Sequence, residues 1–114
     1  MIEQGDIIIT NFPFSDSFQQ KERPVIVISN RLVNSSGDVI AVAISSSQNN
    51  QHRVFLESSD IIEGGNNFAQ SFVHCDKIQR LNKIFSKGSV AKVSTGFLEK
   101  IFQKIHDYLR IEKN

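Results

Sequence analysis

The first two thirds of the sequence consist of short apolar runs separated by turn residues. The clearest runs, residues 25–28 and 39–44, are too short for helices and consist mostly of β-branched side chains, which favour strands. A turn-forming segment at 34–38 predicts a hairpin between them, and the glycine-rich segment 64–67 separates the last two strands. We predict a mainly β protein with strands over residues 6–12, 23–29, 39–45, 53–56 and 69–79.

The spacing of apolar residues changes near the carboxyl end, where they recur every three to four positions. They are Phe97, Leu98, Ile101, Phe102, Ile105, Tyr108 and Leu109. This spacing predicts one amphipathic helix, with Ser94 or Thr95 as its N-cap. Several short strands followed by one helix are typical of a small SH3-like β-barrel with a C-terminal amphipathic helix, which would cover an open end of the barrel.

Composition and charge restrict the classes of protein to which this chain can belong. Its 114 residues are expected to form a single domain over residues 1–114. Thirteen Lys and Arg against 12 Asp and Glu residues give a net charge of +1, so a nucleic-acid site would need a local basic patch. The single cysteine, Cys75, cannot form an intramolecular disulfide. One cysteine and three histidines also cannot supply the usual four-ligand structural zinc site. The sequence shows neither a secretory signal nor a membrane-spanning run, so we expect a cytoplasmic protein.

Arg23 is the first residue that could take part in chemistry. Pro24 keeps the residue before it extended and cannot donate a backbone hydrogen bond, so Arg23 is expected at a strand entrance beside a loop. Its guanidinium would then lie near the surface. The alternative interpretation is an ordinary surface ion pair with Glu22 or Asp16.

A histidine and an aspartate flank the single cysteine in the last predicted strand. Because residues two apart share one face of a strand, His74 and Asp76 are expected to form an acid–base pair on one surface. Cys75 would lie on the opposite face, where we expect it to pack as a small apolar side chain rather than act as a nucleophile. The alternative for the pair is a solvated sheet face.

Ser45 ends the third predicted strand. It continues the face that carries Ala43, whose small side chain allows close approach of a ligand to the Ser45 hydroxyl. A polar turn is the alternative interpretation of this segment. The sequence contains neither a glycine-rich phosphate loop nor a serine nucleophile elbow.

The order of these motifs resembles that of one known family. Gly5-Asp6-Ile7-Ile8 opens the chain, Phe12-Pro13-Phe14 follows, and Arg23-Pro24 precedes an aliphatic run. Ala43-Ile44-Ser45-Ser46 and Cys75-Asp76-Lys77-Ile78 complete the set. Together they resemble the MazF/PemK-like toxins of bacterial type II toxin–antitoxin systems, and within them the PemK/Kid-like branch, over nearly the whole chain.

The resemblance implies a cytoplasmic homodimer that acts as a metal-independent endoribonuclease without a cofactor. Its substrate would be single-stranded RNA such as mRNA, and an acidic antitoxin would block the site. Arg23 matches the arginine of the family's Arg-Pro motif, Ser45 falls where many members have threonine, and Asp76 matches the aspartate of the PemK-like branch. His74 falls where that branch often has arginine, so a titratable group replaces a permanent cation.

The chemistry of RNA cleavage without a metal ion suits these four residues. The substrate's own 2′-hydroxyl is the nucleophile, so the protein supplies a base, an acid and positive charge for the phosphorane. We assign charge stabilisation to Arg23 and a phosphate hydrogen bond to Ser45. His74 and Asp76 are the acid and base, in either order.

Further residues are expected to bind RNA, and two copies of the chain would join their shallow grooves into one channel. The basic and polar candidates are Lys21, Ser46, Arg53, Lys77, Arg80 and Lys83, and the candidate stacking surfaces are Phe12, Phe14 and Phe18. An acidic antitoxin would compete with RNA for this channel.

A different class of function uses the same fold. The chain could be a non-catalytic SH3-like module that binds nucleic acid or a protein partner, such as a degenerate toxin. A pure binding module does not need Arg23, Ser45, His74 and Asp76 together, so their joint presence favours the ribonuclease.

Overall fold

The computed structural model describes residues 1–12 and 21–113 of the chain. Within these residues, seven strands form one antiparallel sheet that curls into a half-barrel, in the order β4-β6-β3-β2-β1-β7-β5. The strands are β1 Asp6–Phe12, β2 Lys21–Val27, β3 Asp38–Ser45, β4 Arg53–Leu56, β5 Ile61–Gly64, β6 Ser71–Asn82 and β7 Ser89–Val93. The helices are α1 Arg31–Asn34 and α2 Thr95–Leu109, and single 3₁₀ turns occupy Ser58–Asp60, Asn66–Phe68 and Lys83–Phe85.

The predicted mainly β fold with a C-terminal helix is confirmed. β1 and β4 have the predicted bounds, and the other three predicted strands begin and end within three residues of them. β5 and β7 were not predicted because each contains too short an apolar run. The predicted turn at 34–38 is shorter than expected, since α1 occupies the first part of that connection.

Gly64 belongs to β5 rather than to the predicted flexible segment. Its φ of +87° lies in the left-handed region, and a Cβ there would collide with the backbone of Val90 and Ala91 in β7. Glycine therefore lets β5 approach β7 closely.

The helix α2 packs across one face of the curled sheet. Ser94 is its N-cap, and its hydroxyl accepts a hydrogen bond from the backbone N–H of Phe97 at 3.1 Å. Phe97, Leu98, Ile101 and Ile105 are buried against sheet residues including Ile26, Val42, Ile44 and Val73. Phe102 and Leu109, which were predicted on the same apolar face, are exposed because the sheet covers a narrower stripe of the helix than the sequence pattern suggests.

The other face of the sheet has a smaller core of its own. Its buried residues are Ile8, Val25, Val27, Val39, Ala41, Ala43 and Leu81. Alternation along β2 and β3 means that Arg23 and Ser45 extend this same face. Neither of the helices in the described ranges is long and apolar enough to cross a bilayer.

Candidate active site

The registers of β3, β6 and β4 place several predicted site residues in two adjacent rows. His74 lies opposite Ala43 on one side and Arg53 on the other. In the next row, Phe72 lies between Ser45 and Phe55. Because directly opposed residues in antiparallel strands share a face, and residues two apart share it too, both rows lie on one surface.

Arg23 reaches the same surface from β2. It lies opposite Thr10 of β1, is half-buried, and shares its face with Val25, which pairs with Ala43. The ladder between β2 and β3 begins only at Val25, after the proline that cannot donate to it. Arg23 therefore lies just beyond the β2–β3 ladder, as the third residue of β2 rather than at the strand entrance that the Arg-Pro motif predicted.

One of the two acidic residues suggested as ion-pair partners of Arg23 pairs with a lysine. The Glu22 carboxylate accepts from the Lys87 ammonium at 3.0 Å. Asp16 lies outside the residues that the structure describes.

A three-residue bulge in β6 shapes the site around His74. Val42 pairs with Ile78 and the next residue, Ala43, pairs with His74, so the three residues between His74 and Ile78 have no partner on β3. Bulges of this kind redirect side chains locally. His74 and Cys75 are both buried here, with 2% and 0% exposure, because the sheet carries a core on each of its two faces.

Asn50, which no sequence motif indicated, joins the acid–base pair. Its Nδ2 donates to the Asp76 carboxylate at 2.6 Å and lies 3.0 Å from Nδ1 of His74. Its Oδ1 accepts from the backbone N–H of His52 at 2.8 Å, and its carbonyl accepts from Nη1 of Arg53 at 2.9 Å. The predicted proximity of His74 and Asp76 is thus established through the Asn50 amide.

The electrostatic surroundings of His74 favour its neutral form. Burial lowers the pKa of its imidazole, and the charges of Lys77 and Arg53 lower it further, while Asp76 acts in the opposite direction. Cys75, by contrast, packs in the apolar core beneath α2, and burial raises the pKa of its thiol to about 11. It is therefore a packing residue, as its position in the sequence suggested.

Ser45 presents a hydroxyl that can donate. Its Oγ accepts from the backbone N–H of Ser47 at 3.1 Å, which leaves the hydroxyl proton for another acceptor. Ser47 in turn accepts from the N–H of Asn49 at 3.3 Å, so consecutive side-chain turns order the chain from Ser45 towards Asn50. Ser46 lies exposed beside Ser45.

An aromatic and cationic surface adjoins the pair. The Arg53 guanidinium lies 5.3 Å from the centre of the Phe72 ring, and the Phe72 and Phe55 rings are 5.4 Å apart. Phe55 remains 44% exposed. Sequence spacing could not identify this surface, because it depends on the register between β4 and β6.

The structure does not bring every predicted RNA-binding residue to this surface. Lys77 lies in the bulge of β6, but Nε of Arg80 pairs with Asp38 at 2.6 Å. Arg80 lies opposite Ile40, which faces the α2 side of the sheet. Lys83 donates to the carbonyl of Asn34. The structure does not describe Phe14 or Phe18, and it does not describe the side chains of Phe12 and Lys21.

A metal centre is not evident in the part of the chain that the structure describes. No three His, Cys, Asp or Glu side chains of these residues converge as potential ligands.

The model of one protein family matches residues 3–109, and its description is the PemK-like, MazF-like toxin of type II toxin–antitoxin systems. The chain belongs to this toxin family. The family predicted from the motifs is therefore confirmed, while its PemK/Kid-like branch stays a prediction. No curated protein matches the sequence significantly.

Several solved structures share the fold of this family member. A MazE–MazF structure from Deinococcus radiodurans superposes with a TM-score of 0.74 at 16% identity, covering 97% of this chain and 98% of that one. An endoribonuclease from Mycobacterial species, in complex with its cognate antitoxin, gives 0.70 at 16% identity with full coverage of both chains. The Mycobacterium tuberculosis toxin MazF-mt6 gives 0.69 at 16% identity, with 95% and 99% coverage.

Proposed function

We propose that this chain is an endoribonuclease toxin that cuts single-stranded RNA, such as mRNA, in the cytoplasm without a metal ion or cofactor. The observation that carries the proposal is the single amide nitrogen of Asn50 within 3.0 Å of both His74 and Asp76. Arg23 and Ser45 extend the face that carries His74. Membership of the toxin family and the fold shared with a protein named an endoribonuclease support it.

The reaction begins at the substrate's 2′-hydroxyl. A base removes its proton, the 2′-oxygen bonds to the adjacent phosphorus, and the bond from phosphorus to the 5′-oxygen breaks. The products are a 2′,3′-cyclic phosphate and a 5′-hydroxyl end. His74 and Asp76 act on the two reacting oxygens. One acts on the 2′-oxygen, which loses its proton, and the other on the 5′-oxygen, which leaves.

Arg23 and Ser45 act on the phosphate. A guanidinium can present two parallel donors to the non-bridging oxygens, whose charge increases in the phosphorane. The Ser45 hydroxyl, with its oxygen already accepting from Ser47, donates to one of the same oxygens. Neither residue has to carry a proton.

The RNA strand would continue over the aromatic and cationic surface. An unpaired base can stack on the exposed ring of Phe55, and Arg53 supplies charge for the neighbouring phosphate. Ser46 directly follows Ser45, and Lys77 lies in the β6 bulge on the other side of His74. The proposed path does not include Arg80 and Lys83, which the sequence suggested as RNA-binding residues.

The proposed partners are a second copy of the chain and an acidic antitoxin. The Deinococcus radiodurans structure is named a MazE–MazF complex, and the mycobacterial endoribonuclease is named as bound to its cognate antitoxin. An acidic segment that folds over the Arg23 and Arg53 region would compete with RNA for it. Displacement of fluorescent RNA from an Arg23→Ala variant by an acidic protein encoded beside this gene tests this, and simultaneous binding of both contradicts it. A strictly monomeric mass in solution contradicts the dimer.

The enzyme proposal is tested with purified chain and a long unstructured RNA. Wild-type protein should cut the RNA, and Asp76→Asn should cut at least tenfold more slowly while keeping the wild-type melting temperature. Binding of RNA without any cleavage by wild type would instead support the non-catalytic module.

A further inference from the structure

The contacts of Asn50 identify which side of its amide is oxygen. The backbone N–H of His52 can only donate, so the atom 2.8 Å from it is the oxygen. The nitrogen therefore faces the Asp76 carboxylate, which can only accept when ionised, and Nδ1 of His74. This orientation satisfies all three neighbours at once.

The same contacts determine the tautomer of His74. An amide nitrogen donates and does not accept, so Nδ1 must be the unprotonated, accepting nitrogen of the ring. A neutral imidazole of this kind carries its proton on Nε2. Nε2 is buried and makes no hydrogen bond to any residue that the structure describes. A buried donor left unpaired in the free protein is suited to a ligand acceptor.

We propose that Asn50 is a positioning residue that holds His74 as the neutral Nε2–H tautomer, so that His74 donates to the RNA and Asp76 takes the proton. This assignment rests on the proposed function. Asp76 accepts the proton of the 2′-hydroxyl, the 2′-oxygen bonds to phosphorus, and the 5′-oxygen leaves. The Nε2–H of His74 donates a hydrogen bond to that departing oxygen, which takes its proton from water.

The charged groups around His74 agree with this assignment. Lys77 and Asp76 approach it from β6 and Arg53 from β4, while the opposing residue of β3 is the apolar Ala43. Two cations and burial oppose a third positive charge on the ring. Protonation would also place an N–H on Nδ1, against the donor of Asn50.

The direct test is ¹⁵N NMR of histidine-labelled, RNA-free protein near pH 7.5. In wild type, Nδ1 of His74 should give a pyridine-like signal and Nε2 a pyrrole-like signal. Asn50→Asp keeps the acceptor for His52 but replaces the donor by an acceptor, so it should move the proton to Nδ1 and raise the pKa of His74. Single-turnover cleavage should fall at least tenfold. Asn49→Ala, which changes an exposed neighbour, is the matched control. It should leave the His74 tautomer and the cleavage rate unchanged.

The NMR signals and the cleavage rate together distinguish failure of the proposed role of Asn50 from failure of the proposed function. A pyrrole-like Nδ1 in wild type, or an Asn50→Asp variant with wild-type tautomer and rate, overturns the role of Asn50. The predicted tautomer in a wild-type protein that does not cut RNA supports the Asn50 contact and overturns the proposed function. If Asn50→Asp does not fold, Asn50→Leu provides the same comparison, because it removes the donor and should give a mixture of tautomers.

Discussion

The hydroxyl of Tyr108 in α2 lies 3.0 Å from Nδ1 of His52, and the two rings meet edge to face with centroids 4.7 Å apart. His52 donates its backbone N–H to the Asn50 side chain, which contacts both His74 and Asp76. The C-terminal helix is thereby connected to the acid–base pair through three successive hydrogen bonds, by way of His52 and Asn50. Docking of α2 supports the site as well as the core.

Removal of the Tyr108 hydroxyl should weaken this connection without changing the packing of the ring. Tyr108→Phe is expected to lower the free energy of unfolding by about 0.5–1.5 kcal/mol, the usual contribution of one hydrogen bond. Chemical denaturation measures this difference. The control is Leu109→Ala, at an exposed neighbouring position, which should change stability by less than about 0.5 kcal/mol. Equal effects of the two variants would show that the hydroxyl contributes nothing.

Arg23→Lys should reduce the single-turnover rate more than about tenfold, because a lysine point charge cannot reproduce a planar contact with two donors. The fold and melting temperature should be unchanged, since Arg23 is only half-buried. Arg31→Lys, at an exposed position of α1, is the matched control. An Arg23→Lys variant that cleaves RNA at the wild-type rate would show that Arg23 has no role in cleavage.

The pH dependence of cleavage should follow the protonation of His74. Burial lowers the pKa of this residue below its usual value of about 6.5, with Lys77 and Arg53 adding to the effect and Asp76 opposing it. The rate should therefore be level from about pH 7 to 8 and decline below about pH 6.5, where protonation displaces the Asn50 amide. His74→Arg should give a flatter profile over this range. A wild-type rate that rises as the pH falls would contradict the neutral role of His74.

Phe55 should contribute to RNA affinity rather than to chemistry. Phe55→Leu is expected to weaken binding of a short unpaired oligonucleotide by about 1–3 kcal/mol, the usual contribution of one stacked base. Fluorescence anisotropy with labelled RNA at fixed salt gives the Kd. The control is Phe85→Leu, at an exposed phenylalanine in a separate 3₁₀ turn. A Kd that Phe55→Leu leaves unchanged would remove the stacking surface from the proposed RNA path.

The elements that sequence reasoning predicted are those whose signal is local. The β-branched runs of β2 and β3 and the helical spacing of α2 reflect periodicities that hold wherever one face is buried. β5 and β7 lack such a signal, because strands of four and five residues depend on their neighbours for pairing. The exposure of Phe102 shows that helical spacing marks a face but not how much of it the sheet covers.

The candidate site was only partly predictable for a related reason. Arg23, Ser45, His74 and Asp76 stand out as residue types suited to RNA cleavage, and strand alternation indicates roughly where they point. Asn50 lies 24 residues before His74 in the chain and reaches it through the β3–β4 connection and the bulge of β6. Neither the bulge nor that connection has a periodic pattern, so Asn50 could be identified only from the structure.

The central claim is that this chain cuts RNA by attack of the substrate's own 2′-hydroxyl. The most direct measurement is incubation of the purified protein with a long unstructured RNA in excess EDTA, followed by chemical analysis of the new ends. We predict undiminished cleavage, with 2′,3′-cyclic phosphate or its hydrolysed form on one side and 5′-hydroxyl on the other. Intact RNA, activity that returns only with Mg²⁺, or 5′-phosphate ends would contradict it.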